Sequence, residues 1–122
     1  MAFKIGAASG TYKWPVKVVI PDNGKHSTEQ FTAIFNRLEH ERCMEIIGAM
    51  NRFSKGERLE DDPTEVEACI EVLAGWEDVT GPDDKPLPFT PENLQAMLSV
   101  EFLPFQLLTA WAESKNEGKR KN

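Results

Sequence analysis

An α+β fold is predicted, with an N-terminal β-hairpin packed on about four C-terminal α-helices. Three observations predict it. WPVKVVI and FTAIF read as strands around an Asn-Gly pair. Later segments carry apolar residues at three-to-four spacing, and helix start and stop residues separate them.

The hairpin comes first. Trp14 to Ile20 is rich in β-branched residues, which suit strands. Asn23-Gly24 follows, and both residues tolerate the positive φ of a type I′ turn. HSTEQFTAIFN then alternates, with Phe31, Ala33 and Phe35 on one face and Gln30, Thr32, Ile34 and Asn36 on the other. The strands are placed at about 15–22 and 25–36. A two-stranded hairpin alone is marginal in water, so its Phe31/Phe35 face must pack on helices. Its outer edges stay open unless another chain pairs with them.

The remainder reads as helices. Asn36 and Glu39 have the spacing of a capping box ahead of the stripe Cys43, Ile46, Ile47, Met50 and Phe53, which Gly56 ends. Asp62-Pro63 starts a second helix with Asp at the cap, carrying Val66, Cys69, Ile70 and Leu73, and Gly75 closes it. Thr90-Pro91 starts a third, with Leu94, Met97 and Leu98 inward. A fourth runs from about Glu101 to Lys115, with Pro104 tolerable in its first turn. Phe105, Leu108, Trp111 and Ala112 mark its buried face. Residues 1–13 read as a flexible lead-in, 14–115 as one globular domain, and 116–122 as a disordered basic tail.

Composition narrows the function. The 122 residues fit a single domain with a real core. No apolar run approaches the roughly 18 residues of a membrane span, and the start of the chain lacks the apolar stretch of a signal peptide. The protein is therefore expected to stay in the compartment where it is made, with Cys43 and Cys69 as buried, reduced thiols. The net charge is −6. From Lys55 to Asp84 eleven acidic residues face only Lys55 and Arg58, whereas 115–122 holds four basic residues against Glu117. Phosphate binding needs clustered cations, which the body of the chain lacks, so a nucleic-acid partner is not expected.

No constellation for catalysis or metal binding emerges. An EF-hand counted from Asp78 puts Thr80 and Pro82 where ligands belong and glycine at the wrong position. The prolines at 82, 86, 88 and 91 instead describe a rigid, extended connector. GAASGT lacks the spacing and the lysine of a phosphate-binding loop. His26 and His40 have no partner at metal-ligand spacing. Cys43 follows His40 by three residues on one helix, with no orienting third group. The nucleophile-elbow motif is absent. The protein is expected to be no enzyme and to use no cofactor.

What remains is a surplus of apolar residues in the last third: Trp76, Leu87, Phe89, Phe102, Leu103, Phe105 and Trp111. One helix cannot bury them all, and exposed aromatic clusters mark binding surfaces. Phe89, Phe102, Leu103, Phe105 and Trp111 are the candidate partner-binding residues. Val18, Ile20 and Ile34 of the hairpin are the candidates for self-association by strand pairing.

The order of these elements resembles the tail assembly chaperones of long-tailed bacteriophages and prophages. The resemblance spans residues 14 to 113. Its most specific part runs from Gly75-Trp76-Glu77-Asp78-Val79 to Pro88-Phe89-Thr90-Pro91-Glu92-Asn93-Leu94. It implies a non-catalytic protein that coats the long, helical tape measure protein, keeps it soluble and helps recruit tail tube subunits. It further implies self-association, action in the cytoplasm of the bacterial host, departure before the virion matures, and synthesis as the short form of a frameshifted pair. A structural tail or head–tail connector or completion protein is the alternative, and it would remain in the particle. A small regulatory, antitoxin-like module would need a basic nucleic-acid face, which is lacking.

Overall fold

The computed structural model describes residues 10–116. The expected features of residues 1–9 and 117–122 lie outside the described residues.

The hairpin forms as its alternation requires. Strands β1 (Thr11–Asp22) and β2 (Lys25–Asn36) pair antiparallel, with Trp14 opposite Ala33 and Val16 opposite Phe31. Asn23 (φ 51°) and Gly24 (φ 83°) make the turn, both in the left-handed region that a type I′ turn demands. The first strand starts earlier than expected. Residues 11–13 belong to it because Tyr12 pairs with Phe35 and packs on its ring, centroids 5.7 Å apart.

The sheet has three strands. Strand β3 (Leu73–Glu77) pairs with the Thr32–Phe35 half of β2 through a bulge beside Ile34, so β2 lies in the middle. This corrects the expected second helix, which stops at Val72. Leu73 continues the helical apolar spacing, yet its backbone (φ −100°, ψ 121°) is extended and takes up pairing with Phe35. Ile70, expected inward, is 48 % exposed.

Four helices follow the expected order: α1 (His40–Ser54), α2 (Glu65–Val72), α3 (Pro91–Leu98) and α4 (Leu103–Glu113). Two caps differ from expectation. Asn36 donates its side-chain amide to Glu71 O at 3.0 Å, and α1 begins behind Glu39 with no side-chain cap. At α2 the capping box is Thr64 with Glu67, because the Asp62 carboxylate is taken by Arg52 (2.7 and 2.5 Å). Thr90 caps α3 with Pro91 in its first turn, as expected. Gly56 (φ 74°) ends α1 in a Schellman turn, its N–H on Phe53 O and that of Glu57 on Arg52 O.

Val16, Phe31, Ala33 and Phe35 from the sheet meet Ile46, Cys69, Val72, Leu98, Leu107, Leu108 and Trp111 from the helices in one core. Helix α4 runs antiparallel to β1. Gln106 bonds Val19 near one end, and at the other Tyr12 Oη lies 2.8 Å from Ser114 Oγ. Arg42 grips Glu71 with two bonds of 2.7 Å, tying α1 to α2. That guanidinium holds the Glu71 carboxyl below the usual carboxylate range. No helix among the described residues is long and apolar enough to cross a membrane.

Candidate contact surface

The link between α3 and α4 sets the main exposed patch. Leu103 N–H bonds Val100 O at 3.0 Å, closing a tight turn over residues 100–103. Phe102, its third residue, adopts φ 61° and ψ 4°, a conformation suited to Gly or Asn. The left-handed region costs an ordinary residue about 1–2 kcal/mol. Phe102 is also 68 % exposed. The turn thus holds a large apolar ring in water in a backbone state that the residue type disfavours. Phe105, one turn along α4, is 51 % exposed. Val100 at the same corner and Val19 on β1 are exposed as well.

Two of the five candidate partner-binding residues are core residues, which corrects that expectation. Leu103 and Trp111 are buried, because they share one stripe of α4 with Leu107. Trp111 Nε1 is buried with no hydrogen-bond partner among the described residues. Phe105, expected in that buried stripe, faces outward instead. Phe89 is 37 % exposed and packs edge-on against Trp76, centroids 4.9 Å apart. It serves as a lid on that indole rather than as part of the Phe102 corner.

The hairpin candidates are placed differently from expectation too. Even-numbered residues of β1 face the core, so Val18 is buried and Ile20 packs against it. Ile34 lies on the opposite face, half-buried over Gly75, where a β-carbon would come within 3.4 Å of its Cδ1. Lys13 and Glu77 close a 2.7 Å ion pair across β2 on that same face.

The edge of β1 is itself blunted. The residues flanking the two-residue turn, Asp22 and Lys25, are a bonded pair, so the odd residues of β1 point their backbone groups away from β2. Pro15 and Pro21 occupy two of these outward positions and have no N–H to offer. Lys17 adds a charge at a third. At Val19 the Gln106 side chain bonds both backbone groups, N–H to Oε1 at 2.8 Å and Nε2–H to O at 3.1 Å. A shallow groove of about 460 Å³ remains between this edge and α4, lined by Pro15, Lys17, Phe105 and Thr109 among others.

The acidic segment is a small hairpin-like loop, which corrects the extended connector. Thr80 bridges Pro86, and Leu87 N–H bonds Val79 O at 2.8 Å. Trp76 Nε1 donates to Leu87 O at 2.8 Å and fastens the loop to the sheet. Asp78, Asp83 and Asp84 are exposed. Among the described residues no group of three or more His, Cys, Asp or Glu side chains is placed to hold a metal ion. Cys43 and Cys69 are free and buried, and burial pushes the Cys69 thiol up to about 12.

No protein-family model matches this chain, and neither a curated protein nor a solved structure does. Val19, Val100 and Gln106 join the site without having been found from the sequence. Nothing local marks Gln106, whose partner lies 87 residues away.

Proposed function

We propose that this protein is a non-catalytic tail assembly chaperone, which binds the tape measure protein through the Phe102–Phe105 corner. The observation that carries the reading is Phe102 itself: strained, exposed, and three residues ahead of a second exposed ring. Strain of this kind is kept where it serves a site. An amphipathic client helix would lay its apolar stripe on the two rings and on Val100. Full burial of one such ring is worth about 1.5–3 kcal/mol, so each contact is weak and many copies along one long client add by avidity. The net charge of −6 would keep the coated client in solution. In this reading the protein works in the host cytoplasm, helps recruit tail tube subunits and leaves before the virion matures.

Photo-crosslinking from position 105 in the presence of the tape measure protein of the same phage or prophage tests it. An adduct with the client that disappears in Phe102→Asp supports the reading. An undiminished adduct in that variant refutes it.

A further inference from the structure

A second surface lies at the other edge of the sheet. Strand β3 pairs with β2 only from Thr32 to Phe35, and Asp78 (φ 65°) then turns the chain away. The register that points Ser27, Glu29 and Phe31 at β1 points the backbone groups of His26, Thr28 and Gln30 the other way. Thr32 and Ile34 use this same side to pair with β3. The edge from 26 to 30 therefore continues a ladder whose third strand has ended. Unlike the β1 edge, it carries no proline and, among the described residues, no side chain bound across it. Directly beneath it opens a groove of about 320 Å³, floored by Val18, Phe31, Val79, Leu87 and Met97. Among the described residues its charged lining consists of Glu29 and Asp78, both acidic.

We propose that the 26–30 edge of β2 and the groove below it receive an extended segment of a partner protein, with inward side chains that alternate an apolar residue with a lysine or arginine. An added strand would take its main-chain bonds from Thr28 and Gln30, as β3 does from its half of β2. Its inward side chains would alternate into the groove. The basic residue sits opposite Glu29, its aliphatic stem on Val18 and its charge between Glu29 and Asp78. The far end of the groove reaches Val100 and Leu103 of the α3–α4 turn, but the 26–30 edge that carries the strand pairing does not involve Phe102 or Phe105 and does not depend on the client assigned there.

The test uses the full chain and the peptide Thr-Lys-Thr-Val-Thr, blocked at both ends. Laid antiparallel to β2 it covers positions 30 to 26, puts its lysine opposite Glu29 and stops short of the Thr32–Glu77 pair. Binding should slow hydrogen exchange at the Thr28 and Gln30 amides and shift their resonances. Thr28→Pro removes an outward N–H only, as Pro15 and Pro21 do on β1, so the variant should keep its spectrum yet bind at least tenfold more weakly. The peptide with glutamate in place of lysine should also lose at least tenfold. Peptide binding that leaves Thr28 and Gln30 unmoved, absence of binding, or equal binding by Thr28→Pro or by the glutamate peptide would overturn the proposal. Protection of both amides by raising protein concentration alone would assign the edge to a second copy and overturn it too.

Discussion

Gln106 holds both backbone groups of Val19, accepting from its N–H at 2.8 Å and donating to its carbonyl at 3.1 Å. A single helix side chain thus stands where a neighbouring strand would pair. Replacing it with alanine returns both groups to water, so the loss is that of ordinary exposed hydrogen bonds. Gln106→Ala should lower unfolding free energy by about 1 kcal/mol in urea titration and speed amide exchange at Val19. Unchanged exchange at Val19 would show that the edge is protected by something else.

Phe102→Gly separates stability from function. Glycine removes the left-handed penalty and adds backbone entropy to the unfolded chain, so the variant should be as stable as the parent or more stable by about 0.5–1 kcal/mol. Client binding should fall at least tenfold, because the ring is lost. A variant that is clearly less stable would mean that Phe102 packs where it is now seen exposed.

The Arg52–Asp62 pair gives a pH signature. The guanidinium hydrogen bonds, aided by Leu59 N–H at 2.8 Å, lower the Asp62 carboxyl from 3.8 to about 2. A folded-state value below the unfolded one adds stability that is fully present above pH 3.8 and is lost as pH falls toward about 2. Urea midpoints measured down this range should drop. In Asp62→Asn this part of the drop should disappear, leaving a lower but flatter profile.

Trp76 fastens the acidic loop through Leu87 O and supports Phe89. Trp76→Phe keeps an aromatic in the site but removes the N–H, and should cost about 1–3 kcal/mol by stranding a shielded carbonyl. Amide exchange at Leu87, which bonds Val79 O, should rise with it.

Features set by neighbours along the chain were legible before the structure. The Asn23-Gly24 turn, the Thr90-Pro91 helix start and the Gly56 stop each depend on residues a few positions apart, and each occurs as read. Features set by distant partners were not. Leu73 has helical spacing behind Cys69 and Ile70, and only β2 makes it a strand. Asp62 looks like a cap until Arg52 claims it. The aromatic surplus did point to the α3–α4 corner, since Phe102 and Phe105 are exposed there. Which apolar residues of α4 face inward was decided by packing on β1 and α2, so Leu103 went into the core, Trp111 stayed in the buried stripe where its spacing put it, and Phe105 turned outward.

Client binding at the Phe102–Phe105 corner is what the proposed function requires. Its most direct test is the solubility of the tape measure protein co-expressed with this chain or with Phe102→Asp/Phe105→Asp. Both rings are exposed, so the double variant should keep its circular dichroism and urea midpoint. The proposed binding at this corner predicts soluble client with the parent chain and aggregated client with the folded double variant. Client that stays equally soluble with that folded variant would contradict it.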